Sequence, residues 1–84
     1  MEFLSELQKT LLIGLYKNRP EQDYKYQSLK ELCPNEKLGT IVFAARELRE
    51  KDLIKCQDDT CTYANITDLG AMYVEADLLI QEPL

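Results

Sequence analysis

Histidine and tryptophan are absent from these 84 residues, and glycine, proline and cysteine occur only three times each. Without histidine the chain lacks the commonest acid–base group of neutral pH and the commonest metal ligand. Three cysteines cannot by themselves close a four-ligand zinc site, so no structural metal is expected. No Ser–His or Cys–His pair, glycine-rich phosphate loop or evident carboxylate cluster is present. An enzyme is not expected, and neither is a cofactor. No apolar run approaches the roughly 18 residues that cross a bilayer. Glu2 and Glu6 stand where a secretory leader carries basic residues, so the expected compartment is the cytoplasm and no membrane partner is expected.

What is present is ordinary globular composition, 45% hydrophobic and 30% charged, which suits a single domain spanning 1–84. The net charge of −5 is unevenly spread. Residues 1–35 balance five acidic against five basic side chains, and residues 36–61 hold six against five. Residues 62–84 carry Asp68, Glu75, Asp77 and Glu82 with no base. No basic stripe announces a polyanion partner.

Apolar spacing predicts the order of elements. Phe3, Leu4, Leu7, Leu11, Leu12, Leu15 and Tyr16 recur at helical intervals, with Ser5 and Gln8 set as a capping box and Arg19-Pro20 as the stop. A very short strand is expected near Tyr26. Ser28 and Glu31 then start a short helix, Leu29 to Cys33, which Pro34 ends. The next helix is expected over about Lys37 to Lys51, capped at Asn35 or starting later at Gly39-Thr40, with Leu38, Ile41, Val42, Ala45 and Leu48 on one face. Two β-prone runs, Leu53 to Gln57 and Cys61 to Ile66, flank Asp58-Asp59-Thr60 and predict a hairpin. Thr67 caps a last helix with Leu69, Met72, Tyr73, Ala76, Leu79 and Ile80 near one face. A tight turn between the second and third helices suggests helix-turn-helix, and the hairpin makes it winged. The expected fold is α+β and mainly α: a three-helix core, a two-stranded β-hairpin wing and a C-terminal helix.

Arg46 to Ile54 resembles the end of a winged-helix recognition helix running into the wing, with Asp52 where glycine is common. Ala64-Asn65-Ile66-Thr67-Asp68-Leu69-Gly70 is similar to the apolar-Thr-x-x-Gly that closes the wing in MarR-like and PadR-like regulators. Leu29 to Leu32 resembles the helix before the turn, so the ordered matches cover roughly residues 26 to 77. The resemblance implies a small transcription regulator that binds double-stranded DNA. Its recognition helix would present Lys37, Thr40, Phe43, Ala44 and Glu47 to the groove. Arg46, Arg49 and Lys51 at the sides would reach the backbone, and Lys55 in the wing is a further DNA contact. Phe43, Glu47, Asp58 and Asp59 are not phosphate-binding chemistry, and they support an alternative: a protein-interaction module on the same fold. Surplus apolar residues at the chain ends, Phe3, Leu4, Leu12, Leu78, Leu79 and Ile80, point to a homodimer.

The cysteines leave two readings open. A two-residue turn would set Cys56 opposite Cys61. The alternation of Ile54, Cys56, Ala64 and Ile66 instead pairs Cys56 with Thr62 and turns Cys61 outward. Reduced thiols and a redox pair both remain open. The five tyrosines suit half-buried edges of the core, or stacking surfaces for a partner.

Overall fold

The computed structural model describes residues 4–19 and 25–78. Helix α1, Glu6–Lys17, opens on a complete capping box: Ser5 Oγ accepts from the Gln8 amide, and the Gln8 side chain accepts from the Ser5 amide. After β1, Gln27–Ser28, the Ser28 hydroxyl accepts from the Glu31 amide and starts the single turn of α2, Leu29–Leu32. Helix α3 runs Leu38–Glu50, with Lys37 in the cap position, so neither Asn35 nor Gly39 starts it. Strands β2, Ile54–Cys56, and β3, Tyr63–Ile66, form the hairpin. Helix α4, Asp68–Tyr73, begins at Thr67 and continues as a π-helical turn, Val74–Leu78.

The sheet has three antiparallel strands in the order β1-β3-β2, rather than two. Gln27 pairs with Ala64 and Ser28 with Tyr63, and the Leu29 amide donates to the Thr62 carbonyl. The extra strand is one residue past Tyr26, and two residues of strand carry little pattern by which a sequence could announce them. In the hairpin Ile54 pairs with Ile66 and Cys56 with Ala64, not with Thr62. The loop is longer than expected. Ile54, Ala64 and Ile66 do share the buried face, as their alternation implies. Cys61 is corrected: it takes a left-handed φ of 54° and is fully buried instead of turning outward.

The core sits between the helices and the inner face of the sheet. Leu11, Leu12 and Leu15 of α1 meet Leu29, Ile41 and Leu48, closed by Cys61 and Val74. Leu4, Leu12 and Leu78 therefore do not form a free apolar surface for a second chain, because all three are buried in this chain's own core. Phe3, Leu79 and Ile80 lie outside the described residues. Conversely, Leu69 and Met72, expected on the packed face of the last helix, are exposed, and Gly70, Ala71, Val74 and Leu78 face inward. Tyr16 Oη donates to Glu75 at 2.6 Å and ties α1 to the π-helical turn. That bond, with some burial, raises the Tyr16 phenol above its ordinary value.

The end of α3 fixes how the hairpin leaves it. The Leu53 amide donates to Leu48 O and the Asp52 amide to Arg49 O, the paired bonds of a Schellman cap. Asp52, at φ 61°, occupies the left-handed position that glycine usually takes. Gly70 meets this turn from the other side: a Cβ there would lie 2.1 Å from the Leu53 carbonyl oxygen and 2.8 Å from Ile66 Cγ1. No backbone atom can yield that far without moving α4 off the hairpin. Gly70→Ala is expected to destabilise by about 3 kcal/mol or more, at the upper end of overpacking costs, and chemical denaturation of the two chains measures it. Asp52→Gly, which relieves the left-handed strain, is expected to leave stability within about 1 kcal/mol of the parent.

Candidate functional site

Among the described residues the most exposed large apolar side chain is Phe43, 71% accessible in the middle of α3. A helix that buries Ile41, Ala44, Ala45 and Leu48 turns residues 40, 43, 47 and 50 the other way, by periodicity alone. Glu36, Lys37, Thr40, Glu47 and Glu50 are all exposed around Phe43. Ala44 departs from the expectation. It is 7% exposed and belongs to the core, so it does not present itself to any groove of a partner. Its position on the wheel lies at the border between faces, and α1 covers it.

Beside Phe43 the start of α1 and the first turns of α3 enclose a groove of about 770 Å³. Leu7, Gly39, Phe43 and Ala44 supply its apolar surface, with Ser5, Glu36, Lys37, Thr40 and Glu47 around them. Gln8, buried behind the groove, tethers one of its lining residues. Its Nε2 donates to the Ala44 carbonyl at 3.3 Å and to Glu47 Oε1 at 3.0 Å. The oxygen of that side-chain amide, Gln8 Oε1, accepts from the Ser5 amide and closes the capping box of α1. Sequence reasoning placed Gln8 as a cap but gave no sign that it also holds Glu47, since that partner is 39 residues away.

The cations next to this face are turned aside. Arg46 Nη2 donates to the Asp59 carbonyl at 3.1 Å, and Arg49 Nη1 lies 3.8 Å from the Asp59 carboxylate. Both bonds run from α3 to the hairpin tip. Lys55 is half-buried in β2. Eight of the residues expected to contact DNA are thus divided: Lys37, Thr40, Phe43 and Glu47 share the outer surface of α3, Arg46 and Arg49 reach toward the hairpin, Lys55 lies in the sheet, and Ala44 is interior.

At the tip, Asp58 accepts from the Thr60 amide at 3.0 Å and from the Thr60 hydroxyl. These two bonds hold the Asp58 carboxyl below its ordinary value, the side-chain bond contributing more. Asp58 and Asp59 therefore act as turn residues as well as surface charges. Tyr16 and Tyr73 pack on the core as half-buried edges, whereas Tyr63 is 47% exposed beside Tyr26 in a smaller groove. Tyr24 lies outside the described residues.

Among the described residues no group of three or more cysteine, aspartate or glutamate side chains is placed to hold a metal ion. Among them, too, no helix is long and apolar enough to cross a membrane. Comparison with known proteins yields no family model, no curated protein and no solved structure that matches this chain.

Gln8→Ala removes the return bond of the α1 cap and the tether to α3 together. It is expected to cost about 1–3 kcal/mol in denaturation. Because the Asp58 carboxyl is held down in the folded chain, its contribution is present above the ordinary carboxylate range and disappears as pH falls through the folded value. Thr60→Ala is expected to raise the Asp58 titration midpoint toward the ordinary value, read from its carboxyl carbon by NMR.

Proposed function

We propose that the chain is a winged helix-turn-helix domain that recognises a protein partner through the outer face of α3, with Phe43 as anchor. The carrying observation is the exposure of Phe43 at the centre of a helix face whose neighbouring arginines are directed to Asp59. The order of α2, α3 and hairpin supports the fold, and the residues that resemble MarR-like and PadR-like regulators support it as well. An aromatic side chain beside an apolar groove is the usual chemistry of a protein-binding anchor. Glu36, Glu47 and Glu50 around it repel phosphate, and the acidic hairpin tip extends that surface. On this reading the module is non-catalytic and works in the cytoplasm.

Double-stranded DNA is the second reading. It is favoured by Lys37 and Thr40 on the exposed surface of α3, in the position of a recognition helix. It requires Arg46 and Arg49 to exchange Asp59 for phosphate. A homodimer belongs to either reading. Within the described residues it would draw on Leu69 and Met72, which are exposed, rather than on Leu4, Leu12 and Leu78. A single monomeric species in sedimentation at micromolar concentration removes the dimer.

Fluorescence anisotropy with mixed-sequence duplex DNA over a salt series separates the two partners. No binding at low salt is expected. Micromolar binding that weakens steeply with salt would transfer the proposal to DNA, because several phosphate contacts impose that dependence. A benzophenone side chain at position 43 gives the positive arm. Its crosslinks in cells are expected to go to protein and survive nuclease, and adducts that nuclease removes overturn the reading.

A further inference from the structure

Gly39 is a glycine without a local reason. It is the second residue of α3, where alanine or leucine would favour the helix more. Its φ is not positive, so a side chain would suit the backbone. Nothing lies within 4 Å of the place its Cβ would take, so no packing excludes one. Gly14 and Gly70 differ, because their Cβ positions meet Leu32 and Leu53. What a side chain at 39 would enter is the groove beside Phe43, which Gly39 lines.

The charges along that groove are not symmetric. At the start of α3 Glu36 and Lys37 adjoin and offset each other. Toward the middle of the helix, among the described residues, Glu47 is the charged side chain that lines it. Gln8 Nε2 holds Glu47 Oε1 at 3.0 Å. Glu50 is exposed nearly one turn further along. The arginines beside them, Arg46 and Arg49, are engaged with Asp59. One end of an apolar groove is thus neutral and the other is negative.

We propose that the groove takes a peptide segment of a protein partner in which a bulky apolar side chain lies close to a Lys or Arg. The apolar side chain sits over Gly39, between Leu7 and Phe43, in the room that the missing side chain leaves. The cation meets the Glu47 carboxylate, which Gln8 already holds in position. A segment with an acidic residue at that place is rejected, because burying its apolar side chain brings two like charges together. The proposal rests on α3 being a protein-binding face, and it specifies the chemistry that the face selects.

The test selects a random linear peptide library, displayed on phage, against the full chain and measures recovered peptides by fluorescence anisotropy over a salt series. Peptides that pair an aromatic or large aliphatic residue with Lys or Arg are expected. Gly39→Leu is expected to weaken their binding about tenfold or more, as loss of a central contact does. Its denaturation midpoint is expected to equal or exceed the parent's. Gly39→Gln repeats the measurement with a polar side chain. Glu47→Gln is expected to weaken binding several-fold and to flatten its salt dependence. Parent-like binding by both Gly39 variants overturns the proposal, and so do recovered peptides that lack a base. If such peptides are still lost on Phe43→Ala, α3 remains a protein-binding face and only the groove assignment falls. A selection that recovers no peptide also overturns the groove assignment. If duplex DNA then binds with steep salt dependence, the reading of α3 falls with it.

Discussion

The approach of Gly70 to the Leu53 carbonyl is the constraint on which the rest of the arrangement depends. Around it Thr67 works three times. Its amide donates to Leu53 O, its hydroxyl donates to Asp52 O at 2.6 Å, and the hydroxyl oxygen Oγ1 accepts from the Gly70 amide. The end of α3, the base of the hairpin and the start of α4 are thereby one hydrogen-bonded junction. A side chain at position 70 would separate them, and so would a turn at Asp52 that could not enter the left-handed region. Because α4 starts at the junction, Val74 and Leu78 are delivered to the core beside α1. Because the hairpin starts there too, its tip is carried back along α3 far enough for Asp59 to meet Arg46 and Arg49.

That meeting and the exposure of Phe43 point the same way, but they do not weigh the same. The Arg49–Asp59 pair is solvent-exposed on the carboxylate side, and such pairs contribute about 0–1 kcal/mol. A phosphate backbone could displace it at little cost. Fully burying a phenylalanine that is left in water is worth about 1.5–3 kcal/mol. A partner that covers Phe43 therefore gains more than one that only recruits the arginines. Scattered exposed leucines need no such explanation, and Leu38 is one of these. Phe43 differs because a groove with Leu7 and Ala44 along it lies at its side.

Much of the fold was legible because it rests on local signals. Ser5, Ser28 and Thr67 each cap the helix their sequence context announces, and Asp52 adopts the turn that its resemblance to a glycine position implies. What escaped depends on contacts distant in sequence. Leu4, Leu12 and Leu78 look surplus when each helix is granted one buried stripe, yet α1 is covered by α3, the sheet and the π-helical turn together, and so buries a wider arc. Ala44 is too small to declare a side of the helix by itself. Cys61 was misplaced because alternation assumes that every residue of a run is extended, and one left-handed residue cancels the assumption. Of the site, the exposed residues of α3 were legible from periodicity. The groove was not, since Ser5 and Leu7 at the start of α1, some thirty residues or more away in sequence, close one side of it.

Phe43 also bears on why Gln8 is polar at a buried position. An apolar residue there would fill the same space between α1 and α3, and the interior would lose nothing in packing. It could not accept from the Ser5 amide, and it could not hold Glu47 in place. The Glu47 carboxylate would then be free to swing, and the negative rim beside Phe43 would lose its fixed position. Fixing a charge next to an apolar anchor does little for the stability of the chain. Its effect falls on selection, since a partner with a misplaced or like charge is penalised when the anchor is buried. Under the protein-partner proposal, a buried glutamine that satisfies its hydrogen bonds and orients a surface carboxylate would help that surface discriminate among partners.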